Sequence, residues 1–495
     1  MTAVTSLHLA GSVLCAGGLA GLLAAPRRLP VGMALGATLT GWLALIAALA
    51  PSGTRVPIVA VVALGAVALL RAGAVVARHP HLWFAAIGAT LAIRVPVAVG
   101  GQEASLLVPL YLTILLGIGM RARSAIGAPP RFPRAVGRPL AALTAWLVLS
   151  SAWSSDPAQG SIRAACYIVP FALAAWLVVA LWPGNDALAW LCGGFGVIAV
   201  SAAAVAIGQG LTGRTFGNAT LDELHAGGAT FRANGFLHDP NMLGRRIVVA
   251  LIIALAMGYL GGSGARGRWV QASAATVLTL GLCLTVSQSS GLALIVGVVV
   301  ILGRAVGWRR VVIVGSVVGA VVIAWGLVGT DGAHRALASQ ERIARASDGR
   351  DRLIGGGIEI WREHPVVGSG LGSFTDHYRA TLSPQEARRA TLLTSHTAPI
   401  TVLAEGGLIA LGLLVWCGGA TILLLRRPGW AAWARWTVLA VLAAIGTHSL
   451  LYAALLEDPT TWIALAAGAA LTWQPSPQRA TTAIAPRRRR ELASS

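Results

Sequence analysis

Lysine is absent from this 495-residue chain, and all 38 basic residues are arginine. That bias is the mark of a GC-rich genome, not of a need for guanidinium at every site. Charge of any kind is scarce. Charged residues make up 11% and hydrophobic residues 56%, whereas a soluble globular chain carries roughly 25% charged residues. There is too little polar side chain to cover the surface of soluble domains, although the length alone would allow about three of ~150 residues each. The mean hydropathy of +0.73 points the same way. A disordered chain, a disulfide scaffold and a fibrous repeat are excluded by the same figures. Cysteine is sparse too. Cys15, Cys166, Cys192, Cys283 and Cys417 all fall inside apolar segments, with no metal-ligand spacing, so neither a disulfide nor a metal centre is read from them. The N-terminus, MTAVTSLH, lacks the basic region of a cleaved signal peptide, so the first apolar stretch is expected to be retained.

What is present is a series of long apolar runs. A spanning helix needs about 20 apolar residues. Such segments lie at about 5–25, 31–50, 56–77, 82–99, 104–120, 139–154, 162–182, 187–208, 241–260, 271–287, 291–303, 311–328, 398–425, 436–455 and 460–473, two of them short. The runs lack period-2 alternation, which favours helices over a barrel. The expected fold is therefore all-α, a polytopic transmembrane bundle of 12–15 helices. Expected divisions are N-terminal helices at 1–138, a central region with the long loops at 139–425, C-terminal helices at 426–473 and a basic tail at 474–495.

The net charge of +20 could suit nucleic acid, but the arginines sit in short clusters between apolar segments. The bilayer explains them better, and no nucleic-acid partner is expected. Alternate loops carry 21 arginines, from Arg27 to Arg490, against only Arg55 and Arg163 in the short opposing loops. The arginine-rich side and the tail are expected to be cytoplasmic. Two long loops, at about 209–240 and 329–397, then fall outside the cytoplasmic membrane. The second holds nine arginines, eight carboxylates and four histidines. Polar loops on so apolar a chain are where chemistry is to be sought.

Several stretches carry candidate chemistry. In 350–378, residues 352–363 form a short amphipathic helix with Leu353, Ile354, Ile358 and Trp361 on one face, weakened by three consecutive glycines. GSGLGSF follows Pro365. Its glycines either form a structural turn or let the backbone approach a ligand such as a phosphate. The spacing does not fit a dinucleotide site. In 395–407, His396 stands at the junction of loop and helix, where it is either simply solvated or able to move a proton near neutral pH. Glu405 lies nine residues deeper in an apolar run, where a carboxylate needs a partner. In 232–246, Asp239-Pro240-Asn241 is turn and cap chemistry. Arg232 is a cation close to the membrane face. Arg245 and Arg246, in the first turns of an apolar segment, either snorkel outward or face a cavity and hold an anion. Arg71 and Arg94 also fall within apolar segments, Arg94 next to a kink at Val95-Pro96. Asn218-Ala219-Thr220 matches a glycosylation pattern too common to carry weight.

Together these stretches resemble the O-antigen ligase and polymerase superfamily of bacterial membrane glycosyltransferases. The likeness runs over roughly 140–425. It rests on SSAWSSDPAQGS at 150–161, Arg232 with Gly235-Phe236 and Asp239-Pro240-Asn241, LTVSQSSG at 284–291, Arg352 with HPVVGSGLGSF at 364–374, and SHTAPITVLAEGG at 395–407. Two positions depart: Gln288 or Ser290 stands where the family has Arg after T-x-S, and Thr397 replaces the Asn after the His. The resemblance implies a GT-C-like membrane fold with helical external loops in the cytoplasmic (inner) membrane. It implies transfer of a glycan from a polyprenyl-diphosphate donor to a glycan, lipid or protein hydroxyl, on the outer face and without metal or other cofactor. His396 would be the general base. Arg232 and Arg352 would stabilise the departing diphosphate. Arg245, Arg246, Asn241, Gly370, Gly372 and Glu405 would line the substrate site, with Arg245 or Arg246 standing in for the missing arginine. The alternatives are a polysaccharide polymerase, a solute transporter of the same fold and a non-catalytic scaffold.

Overall fold

The structure, a computed structural model, describes residues 3–24, 30–49, 65, 67–69, 71–73, 76–93, 95–99, 102–123, 131–184, 186–215, 219–226, 231–237, 239–260, 264–313, 350–383, 397–427, 432–452 and 454–472. Most of the expected segments at 56–77 and 311–328, Arg94, His396 and the basic tail lie outside them. The elements are α1 (Ala3–Ala24), α2 (Val31–Leu49), α3 (Pro80–Thr90), β1 (Val95–Val99), β2 (Gln102–Leu106), α4 (Val108–Arg123), α5 (Arg134–Ser150), α6 (Pro157–Ala180), α7 (Asp186–Thr212), α8 (Ala219–Ala226), α9 (Pro240–Leu260), α10 (Ala265–Thr285), α11 (Gln288–Ile313), α12 (Arg350–Glu363), α13 (Phe374–Thr381), α14 (Ala398–Arg426), α15 (Ala432–Leu451) and α16 (Pro459–Ala470). Nine helices among the described residues are long and apolar enough to cross a membrane. The protein is a multi-pass membrane protein built as a helix bundle.

One expectation is corrected. The segments 82–99 and 104–120 are not two spanning helices joined by a loop. Helix α3 stops at Thr90, and an antiparallel hairpin pairs Val97 with Ala104 before α4 begins. Val95-Pro96-Val97 explains the stop. The residue before proline avoids helix, and valines favour strand. Hydropathy counts apolar residues and does not register their backbone preference.

The most buried helix is α6, and it carries a π-turn at Ala164–Ile168. A π-turn displaces backbone carbonyls from the regular ladder, and inside a bilayer each needs a partner. Trp42 Nε1 donates to Ala165 O at 2.6 Å, and the Tyr111 hydroxyl donates to Cys166 O at 2.6 Å. These two bonds hold α2 and α4 against α6. Small residues bring other pairs together, as expected where packing rather than water drives association. A side chain at Gly194 of α7 would collide with Ala85 O of α3.

The loop helices lie on the bundle. The buried face of α12 is Leu353 and Ile360 with Gly356 and Gly357, not the expected Leu353, Ile354, Ile358 and Trp361. The glycines expected to weaken this helix are what let it dock. A Cβ at Gly356 would meet the Tyr378 ring of α13, and one at Gly357 would meet Ile400 of α14.

Candidate functional site

One end of the bundle gathers the polar residues. Arg232 lies in a non-helical stretch at 231–237, whose backbone is satisfied from α7. Gln209 Oε1 accepts from Asn234 N and Gly235 N at 3.1 and 2.8 Å, and its amide nitrogen donates to Gly235 O at 2.9 Å. Ala233 N donates to Leu284 O at 2.8 Å, tying the stretch to α10. The guanidinium is thereby fixed. Its Nε donates to Thr285 O at 3.1 Å and its Nη2 to Asn241 Oδ1 at 3.0 Å. Both acceptors are neutral. Among the described residues no carboxylate pairs with Arg232, which is half-buried.

Asn241 opens α9, capped as expected by Asp239, whose Oδ1 accepts from Asn241 N and Met242 N at 2.6 and 3.1 Å. Asn241 Oδ1 also accepts from the Ser287 hydroxyl at 2.9 Å. Ser287 caps α11 and lies 2.8 Å from the Ser290 hydroxyl. Ser290 lies 3.2 Å from His448 Nε2 in α15. His448 Nδ1 in turn accepts from Arg245 Nε at 3.2 Å. A polar path thus runs from Arg232 to Arg245 through the bundle interior. Because Nδ1 faces a guanidinium donor, the imidazole proton sits on Nε2.

Arg245 and Arg246 do not snorkel outward. Both side chains are 1% exposed and converge on Asp458, which is fully buried at the start of α16. Arg245 Nη1 reaches Asp458 Oδ2 at 2.9 Å and Ala454 O at 2.8 Å, and Arg246 Nη1 reaches Asp458 Oδ1 at 2.6 Å. Arg246 also donates to the Thr460 hydroxyl. Burial alone would raise the Asp458 carboxyl, but the Arg246 and Arg245 guanidiniums outweigh it and hold it below the ordinary carboxylate range. The anion that these arginines were expected to bind from outside is supplied by the chain itself.

The second charged cluster lies around Glu405. Helix α14 breaks at Gly407, whose φ is 68°, so its first turns leave carbonyls without helical donors. The glycine-rich turn fills them: Ser369 N donates to Ala404 O at 3.0 Å and Gly370 N to Glu405 O at 2.8 Å. Gly370 and Gly372, with φ of 99° and 86°, are buried against residues 154 and 159–160. The turn is a packed staple between α14 and the α5–α6 corner. Gly370→Ala would set a Cβ 2.5 Å from Ser154 Cα in a left-handed conformation. It should destabilise the protein by about 1–3 kcal/mol, seen as a lower midpoint of thermal aggregation in detergent.

Glu405 has the partner that its position demanded. Arg163 Nη1 donates to its two oxygens at 3.0 and 2.9 Å and pairs with Glu457 at 3.2 Å. Arg163 is therefore not a loop arginine but a residue of α6 turned into the bundle. Glu457 and Asp458 are consecutive, yet they serve Arg163 and the Arg245–Arg246 pair respectively.

The sequence-derived site residues thus divide into three groups. Arg232 and Asn241 meet. Arg245 and Arg246 connect to them only through Ser287, Ser290 and His448. Gly370, Gly372 and Glu405 form the staple. Arg352 is exposed on α12, without a partner among the described residues, and His396 lies outside them. Arg163 entered the sequence reading only as one of the sparse arginines of the opposing loops and Ser287 only within the stretch 284–291, while His448, Glu457 and Asp458 were not singled out. The one available signal was a Glu-Asp-Pro at the head of an apolar segment.

No curated protein matches the chain. Residues 272–417 match the family model described as O-Antigen ligase, a stretch that contains Ser287, the glycine-rich turn and Glu405 while Arg163, Arg232, His448 and Asp458 lie outside it. The likeness to that family is thus shown for 146 of the 495 residues.

Proposed function

We propose that the protein transfers a glycan from a polyprenyl-diphosphate carrier to an acceptor hydroxyl, at the arginine-poor end of the bundle. The observation that carries this reading is Arg232. Its guanidinium is fixed by two neutral acceptors and has no carboxylate partner among the described residues, whereas the buried Arg163, Arg245 and Arg246 are each matched by at least one. A fixed cation without a counter-ion is a place for an anion, and guanidinium suits phosphate oxygens.

In the proposed reaction a base takes the acceptor proton and the acceptor oxygen bonds to the anomeric carbon. The bond from that carbon to phosphate breaks, and the diphosphate leaves with the electron pair. Charge grows on the leaving oxygen, so a preorganised guanidinium is worth most in the transition state. Arg352 is assigned the same role from the overlying α12. Asn241 orients Arg232, and Arg245 and Arg246 with Asp458 brace the wall behind it. His396, two residues before α14, is proposed as the base. Purified protein supplied with a polyprenyl-diphosphate glycan and candidate glycan, lipid and protein acceptors tests the reading, and the absence of any transfer product would end it. His396→Ala should abolish transfer, by about 10²–10⁴-fold, while donor binding persists. If His396→Gln turns over normally, the base is another residue.

The reacting end is proposed to lie outside the cytoplasmic membrane, on the arginine asymmetry of the loops. In a background lacking native cysteines, Ser383→Cys should react with an impermeant maleimide on intact cells and Ser476→Cys should not. The reverse pattern would invert the orientation.

A further inference from the structure

Helix α14 is longer than a bilayer requires. It runs 29 residues and breaks at Gly407, whereas about 20 residues cross the hydrocarbon core. Arg426 and Arg427, exposed at its far end, mark one edge of that core. From Arg426 back to Gly407 the helix is about 30 Å long, at about 1.5 Å per residue, which is the thickness of the core. The break therefore stands at the opposite edge, at the arginine-poor end. The exposure of α14 changes at the same place. No residue from Ala398 to Gly407 is exposed, and exposure begins at Leu408. Leu408, Val415 and Ile422 are exposed at a spacing that keeps them on one side of the helix, the stripe that faces lipid.

The chain entering the glycine-rich turn extends that stripe past the break. A helix that restarts leaves N–H groups without helical acceptors, and at the depth of hydrocarbon each needs a partner. Pro365 O accepts from Leu408 N at 3.0 Å and Val366 O from Ile409 N at 3.4 Å. Residues 365–367 are thus laid on the restarted turn, level with the edge of the core. Val366 and Val367 are exposed there. Arg362, Glu363 and His364, also exposed, come just before them, and no charged residue follows until Asp376. On the other side, Trp153 donates from Nε1 to Gly368 O at 3.4 Å and leaves its ring exposed. An indole, apolar in the ring and polar at the nitrogen, suits the level of the headgroups.

We infer that Val366, Val367 and Trp153 form a wedge seated in the bilayer leaflet at the arginine-poor end. Its partner is the part of the acyl chains next to the headgroups, and Arg362, Glu363 and His364 lie among the headgroups. The wedge sets the depth of what hangs from it. Ser369 N and Gly370 N bind Ala404 O and Glu405 O, so the glycine-rich turn and Glu405 are held just outside the hydrocarbon. The wedge does not depend on the transfer reading.

A depth measurement tests it. In the full-length protein without native cysteines, Val366→Cys, Val367→Cys, Val415→Cys and Arg362→Cys each carry an NBD label in phosphatidylcholine vesicles. Labels at 366 and 367 should emit to the blue of the label at 362 and lose intensity most to a doxyl group near the acyl carboxyl. The label at 415, about 12 Å deeper along α14, should lose most to a doxyl group near the chain end. Iodide on both sides of the membrane should quench the label at 362 alone. The unaltered protein gives a second measurement. Phosphatidylcholine with a diazirine near the acyl carboxyl should leave adducts on Trp153, Val366 and Val367. Iodide quenching at 366 and 367 as strong as at 362, adducts confined to Leu408 and the helix below it, or protection of Trp153 by a soluble glycan without any response to lipid would each overturn the inference.

Discussion

Arg232→Ala should lower glycan transfer by about 10²–10³-fold, the usual cost of removing one preorganised donor to a developing anion. Donor affinity should fall as well, because the guanidinium meets a diphosphate that is already charged. The loss in turnover should exceed the loss in binding, since the leaving oxygen gains charge as its bond breaks. Arg232→Lys should recover only part of either. An ammonium keeps the charge but cannot donate to Thr285 O and Asn241 Oδ1 from one rigid plane while offering further donors to phosphate. Asn241→Ala, which keeps the cation and removes one of its two anchors, should act as a milder copy. Titration of a short-chain prenyl diphosphate, alongside turnover with the full donor, separates these effects. Unchanged binding and turnover in Arg232→Ala would remove the diphosphate from this place.

The largest effect on folding is expected at Asp458. Asp458→Asn strips the counter-charge from two guanidiniums that are 1% exposed. Breaking a buried pair in this way costs about 3–5 kcal/mol. The thermal midpoint of the monodisperse detergent peak should drop sharply, and much of the chain should fail to insert. Replacing the whole cluster, as Arg245→Met, Arg246→Met and Asp458→Leu together, should recover much of that loss, because no charge is then stranded. A triple variant as unstable as Asp458→Asn would mean that the network with His448 and Thr460 matters more than the charges. The pH response follows from the depressed carboxyl. Its contribution is complete above the ordinary aspartate value of about 3.9 and is lost only as pH falls through the lower folded value. The Asp458 carboxyl itself should therefore add no pH dependence to stability between neutrality and about pH 5.

Local features of the fold were legible because their causes are local. Asp239 before Pro240 caps α9, and the apolar stretches at 5–25, 31–50 and 398–425 are helices close to those bounds. The apolar stretch at 82–99 was not legible as a helix that stops, because apolar content does not distinguish helix from the strand that Val95-Pro96-Val97 favours. The site was legible as a set of residues and not as an arrangement. Arg232 and Asn241 were named together and do meet. Arg245 and Arg246 were named for an outside anion and hold an inside one.

By itself the sequence determined that this chain lives in a bilayer, which of its residues could cap and turn, and which cations had to be explained. Those are questions of composition and of neighbours a few residues apart. Only the tertiary structure decided which charges neutralise one another. Arg163 finds Glu405 and Glu457, Arg245 and Arg246 find Asp458, and Arg232 finds, among the described residues, neutral oxygens. With 38 arginines and 18 carboxylates, nothing in the linear order selects these pairs. The selection is made by helix packing, which brings partners more than two hundred residues apart within 3 Å. In a low-dielectric interior an ion left without a partner is too costly to persist.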